Sequence, residues 1–435
     1  MRFPGRRKNK HYFPVSEKTK QSDLHESFVK PLKGKSYIVG IDELLVDIEI
    51  KTTDEILKKF GLVKGQSALI PDELAETIYD EMKKEQAIVG EFAGGAIGNT
   101  IHNYTVLSDD KAYLLGAITK HITVGDYAFK YLCHTSTLVD LNYLGPTEKP
   151  LGRAMCFVTP DGERTFGISR GCAHDLTPDF IPEEIIKKAA VLVISVFHLR
   201  NQSSPLYQSV IKAIQIANIN NVPVALSLGT SFLVAEMREF LQDFIKKHIS
   251  ILAMNHEESF AFTGEKDLLL AGKSCLEFCD LALITDGAKG LYLCAHVDEK
   301  FARETRHELH SKTISEYNRF EFSRAMAKAD CEKPIKIFSH INPYLGGPTS
   351  IRNTNGAGDA AFAALLHDIV ANNYHKISVP DSSKHAANFL TYSSISQISK
   401  YANRVSYEVL IQNSARLSHG LPPREDNLED SYWDL

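Results

Sequence analysis

Asn353-Thr354-Asn355-Gly356-Ala357-Gly358-Asp359, running on into Ala360-Ala361-Phe362-Ala363-Ala364-Leu365-Leu366, reads as a glycine-rich turn feeding an alanine-rich helix. Gly356 and Gly358 lack a Cβ, so the backbone there can come close to a bulky anion. The first turn of a helix leaves N–H groups unpaired at the positive end of its dipole, and both features suit phosphate oxygens. Asp359 is out of place in a loop that only binds phosphate, because a carboxylate repels one. It makes sense as the acceptor for the proton of a hydroxyl that attacks that phosphate. The stretch predicts phosphoryl transfer to an alcohol.

Around this loop the chain has the composition of a globular protein. It has 435 residues, 43% hydrophobic and 24% charged, enough for one large domain with additions or for two to three small ones. Lys and Arg number 49 against 54 Asp and Glu, a net charge of −5, so no basic field invites nucleic acid. There is no apolar run of 18 residues, so no membrane partner is expected. The first ten residues are basic and lack the apolar core of a signal peptide, so a cytoplasmic location is expected. Seven cysteines stand singly, which does not suggest a disulfide framework; Cys275 and Cys279, four apart in an amphipathic stretch, read as reduced thiols on one helix.

From Ser36 onward, strand-like and helix-like runs alternate as in a doubly wound α/β fold. Strands are expected at 36–40, 191–195, 222–228, 249–254 and 282–285, with helices at 182–190, 208–218 and 231–247. Segments near 43–52 and 87–93 look extended. Residues 152–170 read as a hairpin with a Pro160-Asp161-Gly162 turn. Together they suggest a small β lid. Residues 1–35 read as a basic arm, 297–350 as a long insertion, and 424–435 as an acidic tail.

Five further segments carry chemistry. Gly94-Gly95 opens a second glycine turn, in which adjacent glycines let a flat ligand or sugar hydroxyls reach main-chain N–H groups; Asn99 offers both donor and acceptor. Asp42 and Asp47 follow the first strand, where carboxylates can accept the hydroxyl protons of a cis-diol. Asn255-His256-Glu257-Glu258 fits both a capping box and a carboxylate that orients water around Mg²⁺. Thr285-Asp286-Gly287-Ala288-Lys289-Gly290 closes a strand and suits nucleotide phosphates or ribose, or equally a hairpin turn. Gly272-Lys273-Ser274 mimics the end of a P-loop, but Asp267 stands where its first glycine is required.

The Gly94-Gly95 turn with Asn99, the Asp161–Thr165 hairpin, Asn255-x-x-Glu258, Thr285-x-Gly287-x-x-Gly290 and the Gly356–Asp359 loop resemble, in this order, the motifs of ribokinase-like (PfkB-type) sugar and nucleoside kinases. Phe3-Pro4-Gly5, Leu45–Glu49, Ile251–Asn255, Lys400–Ser406 and Ser431-Tyr432-Trp433 extend the likeness from arm to tail. It is strongest to the bacterial members that act on inosine and guanosine. The resemblance implies a ribokinase-like α/β fold with a small β lid, and transfer of the ATP γ-phosphoryl group to the 5′-hydroxyl of a purine nucleoside.

By position, Asp359 would be the base and the N–H groups of Gly356, Ala357 and Gly358 the anion hole. Asp42, Asp47, Gly94, Gly95 and Asn99 would hold the ribose, with Arg164 on the lid close to the substrate. Asn255 and Glu258 would organise Mg²⁺ and phosphates, the metal through water, while Thr285, Gly287, Gly290 and Asn403 would line the ATP site. Activation by K⁺ is common in the family. Its loop usually opens with Asp where this chain has Asn353, and an amide brings no negative charge to a cation. A homo-oligomer is compatible with all of this. The residues alone leave open an adenosine or ribose kinase, or a non-catalytic nucleoside or nucleotide sensor; such a sensor would be expected to lose Asp359.

Overall fold

Ile38-Val39-Gly40-Ile41 is apolar without alternation, the signature of a strand buried on both faces, and this strand (β1) lies inside the largest sheet. The structure, a computed structural model, describes residues 36–305, 313–314, 317–344, 351–352 and 354–421. The expected basic arm, the acidic tail and Asn353 lie outside the described residues, as do parts of the expected insertion (306–312, 315–316 and 345–350).

After β1 the chain leaves the large sheet and builds a smaller one from β2 (Leu45–Lys51), β3 (Ser67–Leu69) and β4 (Ile88–Ala93), with helices α1 (Asp54–Lys59) and α2 (Asp72–Lys84) between them. It returns through α3 (Ala96–Ser108) to β5 (Ala112–Leu115), followed by β6 (Ala117–Thr119), α4 (Tyr127–Cys133), β7 (Val139–Asp140) and β8 (Gly145–Thr147). The hairpin β9 (Gly152–Val158) and β10 (Arg164–Ser169) completes the small sheet in the order β3-β10-β9-β2-β4. In β2, Val46, Ile48 and Ile50 are buried while Glu49 and Lys51 are exposed, a period of two that packs one face only.

The chain then alternates α5 (Glu183–Ile186), β11 (Val191–Ser195), α6 (Pro205–Ile219), β12 (Val224–Ser227), α7 (Ser231–Glu236), α8 (Arg238–His248), β13 (Ile251–Asn255), α9 (His256–Thr263), α10 (Leu268–Cys275) and β14 (Leu281–Thr285). β15 (Leu291–Asp298) and β16 (Pro334–Ile341) finish the sheet before α11 (Ala357–Ser378) and α12 (Ile395–Leu410). Strand order is β16-β15-β14-β13-β12-β11-β1-β5-β7, parallel from β7 to β14 and antiparallel at β14–β15 and β15–β16. β16 falls within the stretch expected to be wholly insertion: residues 334–341 are the edge of the main sheet.

Two helices differ from expectation. The run 182–190 holds only one turn of α-helix, Glu183–Ile186, because Ala190 already donates to Tyr37 O at 2.8 Å beside the sheet. The run 231–247 is two helices parted at Met237, which caps α7 and starts α8 at φ −106°, ψ 14°. Cys275 and Cys279 are buried thiols but do not share a helix: α10 ends at Cys275, and Cys279 Sγ lies 3.3 Å from Cys275 O in the turn beyond it. Gly272 sits inside α10, where a Cβ would come within 2.3 Å of Cys294 Sγ; that glycine serves helix–strand packing. No helix among the described residues is long and apolar enough to cross a membrane.

Candidate active site

Residues 360–366 of α11 are buried on every side, so this helix is held by α3 and α12 rather than by one apolar stripe. Its alanines let the neighbouring helices approach closely. Its start is fixed at Gly356, in the left-handed region at φ 78°, where an added Cβ would lie 2.4 Å from Ala415 Cβ. Gly358 differs: a Cβ there would meet nothing within 4 Å, so the room in front of the helix terminus is not taken by protein.

Asp359, third residue of α11, faces a cavity of about 230 Å³ whose walls include Gly358, Asn255, Glu258 and Thr285. Burial pushes its carboxyl up to about 7, opposed by a hydrogen bond from Asn99 and raised further by the charges of Glu258 and Asp47. Asn99 Nδ2 donates to Asp359 Oδ2 at 3.3 Å. Glu258 and Asn255 form the reciprocal cap of α9. Asn255 Oδ1 accepts the Glu258 N–H at 2.9 Å, while Glu258 Oε2 and Oε1 accept from the Asn255 backbone and side-chain amides, each at 2.9 Å. Burial lifts Glu258 to about 7 as well.

The second glycine turn is packed differently. A Cβ on Gly95 would fall 2.1 Å from Asp42 Oδ2, and one on Gly94 would fall 2.7 Å from Asp47 Oδ2. The space the glycines leave is filled by these two carboxylates. Asp42 lies beneath the turn, 3% exposed, accepting the Gly98 N–H at 2.7 Å, and burial drives it up to about 8. Asp47 is half-buried and is pushed up to about 6 by burial.

Sequence reading missed Arg416, which binds this centre together. It is 4% exposed. Nε donates to Asn99 Oδ1 at 3.0 Å, Nη1 to Thr135 Oγ1 at 2.8 Å and Nη2 to Gly94 O at 3.2 Å. Its charge acts on Asp42, Asp47 and Asp359 alike. Buried polar groups of α3 seat its segment: His102 Nε2 lies 3.0 Å from Leu417 O, Asn103 Nδ2 donates to Ala415 O at 3.1 Å, and Asn103 Oδ1 accepts the Leu417 N–H at 2.7 Å. The only sequence signal was indirect, a helix whose His, Asn and Thr residues have no apolar face to explain them.

Other expected residues lie apart from this cavity. Gly287 and Gly290 bracket the hairpin turn between β14 and β15, and a Cβ on Gly290 would collide with Ile341 O at 1.9 Å. Asn403, on α12, donates to Asn342 O at 2.5 Å. Arg164 is exposed at the start of β10. It shares a sheet face with Asp47, but Asp47 aligns through Ala154 with Ile168, four residues along, or about 13 Å. Among the described residues, no group of three or more His, Cys, Asp or Glu side chains is arranged to hold a metal ion.

Residues 59–309 match the model of the pfkB family of carbohydrate kinases. The chain is 49% identical to the guanosine-inosine kinase of Escherichia coli K12 over 435 residues, all of both chains. Its fold is similar to a probable sugar kinase from Rhizobium etli, with TM-score 0.64 and 17% identity over 89% of this chain and 96% of that one. It is also similar to adenosine kinase from Sinorhizobium meliloti, with TM-score 0.61 and 20% identity over 88% and 96%.

Proposed function

The chain belongs to the pfkB family of carbohydrate kinases, and from that membership we propose that it transfers the γ-phosphoryl group of ATP to the 5′-hydroxyl of inosine and guanosine, giving IMP and GMP. The observation that carries the chemistry is the α11 terminus, where open space in front of Gly358 adjoins the half-buried Asp359 carboxylate.

In this reading the hydroxyl oxygen bonds to the γ-phosphorus as the bridging oxygen leaves with ADP, and the hydroxyl proton passes to Asp359. A carboxyl raised to about 7 is a better base near neutral pH than an ordinary Asp. The Gly356, Ala357 and Gly358 N–H groups and the helix dipole stabilise charge on the transferring group, the larger effect in a loose transition state. Asn99 and Arg416 orient Asp359 and screen it from the neighbouring carboxylates. Mg²⁺ fits the donor set: the buried Glu258 and the half-buried Asp359 are oxygen acids lining one cavity, and Mg²⁺ takes few protein ligands and keeps its waters. When bound, it would neutralise phosphate charge. Thr285, Gly287, Gly290 and Asn403 are assigned to ATP. Asp47 is assigned to the ribose, with Asp42, Gly94 and Gly95 supporting it from below. The five-stranded sheet is assigned as the lid, with Arg164 near the substrate, and residues 36–435 as one kinase domain. Activation by K⁺, homo-oligomerisation and a cytoplasmic location belong to the same proposal.

The test is ADP release with Mg-ATP, with and without K⁺, against inosine, guanosine, adenosine and ribose in parallel. Turnover of the first two far above the others is expected. Preference for adenosine or ribose would overturn the acceptor, and silence with all four would overturn the catalytic reading.

A further inference from the structure

Glu43, His174, His198 and Arg200 form a polar cluster that phosphoryl transfer does not use. Glu43 stands two residues past the end of β1. Arg200 ends the short turn Val196–Leu199 that follows β11, the parallel neighbour of β1, and His174 lies beyond β10 of the small sheet. The cluster therefore stands where the small sheet meets the carboxyl ends of the large one. Phe197, Asn255 and Thr285 reach the Asp359 cavity from that same edge.

His174 Nε2 lies 3.1 Å from Glu43 Oε1, and Arg200 Nη2 donates to Glu43 Oε2 at 2.6 Å. Burial pushes the Glu43 carboxyl up, but the hydrogen bond from His174 and the charge of Arg200 outweigh it, so Glu43 is ionised. The rest of the guanidinium is unspent. Among the described residues, every side-chain hydrogen bond of Arg200 runs through Nη2, and Nε is sealed from solvent with no acceptor. His198 adds another such donor. Its Nδ1 accepts the Ser195 N–H at 3.2 Å, and burial pushes the ring down to about 4, so the neutral ring carries its proton on Nε2. That nitrogen is buried and has no acceptor among the described residues. Buried donors without acceptors are costly. A neutral oxygen suits them better than an anion, because the Glu43 carboxylate already balances Arg200 and would repel one.

The cluster also borders the site. Phe197 lines the Asp359 cavity, and Arg200 Cζ lies 5.6 Å from its ring centre. A Cβ on Gly95 would come within 3.2 Å of Glu43 O. We propose that Arg200 and Glu43 read the purine edge of the nucleoside, an inference that rests on the kinase function proposed above. Arg200 donates to the 6-oxo oxygen and Glu43 accepts the adjacent N1–H, while His174 is a positioning residue that holds Glu43. Adenosine reverses both contacts, since its 6-amino group is a donor and its N1 an acceptor. A site built this way rejects adenosine by leaving its own polar groups unpaired.

The experiment is calorimetric titration of the full-length protein with inosine, adenosine and purine riboside, which lacks both the 6-oxo oxygen and the N1 hydrogen. Inosine is expected to bind about tenfold or more tightly than either of the others. Arg200→Met is expected to shrink that gap. Glu43→Gln/Arg200→Met, which leaves no unpaired carboxylate should the single variant fail to fold, is expected to bring inosine and purine riboside within about twofold. A cluster that only supports the fold would weaken both nucleosides equally and preserve the gap. That result would overturn the proposal, as would a wild type indifferent between inosine and purine riboside. Either failure leaves inosine turnover by the wild type intact, whereas a wild type that binds no nucleoside overturns the kinase function as well.

Discussion

The turns at Gly94-Gly95 and Gly356–Gly358 look alike on paper, each a glycine pair opening a helix with a polar residue just inside it. In the fold they are used in opposite ways. At the first, the missing Cβ atoms make room for protein, the carboxylates of Asp42 and Asp47. At the second, Gly356 is needed by the backbone and by Ala415, while Gly358 leaves space that no protein atom takes. A gap filled by protein shows what a glycine does for the fold, and a gap left open at Gly358 is the room the proposed phosphate contact needs.

The sharpest way to break this contrast is at Asp359. Asp359→Asn is expected to lower kcat by about 10²–10⁴ and leave the Tm unchanged or raised, since it removes a desolvated acid. Activity within a few-fold of wild type would remove the base assignment. Next come the glycines themselves. Gly358→Ala should melt like the wild type yet lose about tenfold or more in kcat/KM for ATP. Gly95→Ala should lower stability by about 1–3 kcal/mol, because its Cβ would overlap Asp42 at a positive φ of 90°. If the two losses exchange places in melting and kinetic assays, the contrast is wrong.

Arg416→Met tests the link between the turns. Asp42, Asp47 and Asp359 are all raised by burial and all eased by Arg416, so the variant should lose more stability at pH 8.5 than at pH 5. The sign follows from linkage: a carboxyl raised in the folded state contributes most while protonated, and that contribution is lost as pH climbs through its folded value. Equal losses at the two pH values would remove the shared-charge account. The smallest effect is the pH profile of kcat/KM, where an acidic limb near 7 is expected from the Asp359 and Glu258 cluster. A limb near 4 would place the base in water.

Much of this was legible before any coordinates. The Asn255–Glu258 box needs only three residues of spacing, and β11 needs only the apolar run Val191–Ile194. The turn at Gly287–Gly290 reads in sequence as a nucleotide loop or a hairpin; it joins the antiparallel strands β14 and β15, and its ATP role stays part of the proposal. The break at Met237 left no mark, because nothing in that residue type opposes helix. At Gly95 the sequence shows a missing side chain without showing that Asp42 fills the gap.

The sequence by itself determined the alternation of strands and helices, the glycine loop with its acid, and the family likeness, because each is written in spacings of a few residues. Only the tertiary structure decided that Arg416, 317 residues from Asn99, meets it beside Asp359, and that Asp42 and Asp47 fill the gaps at Gly95 and Gly94. Such contacts depend on which buried faces meet when the chain folds, and no local period records that.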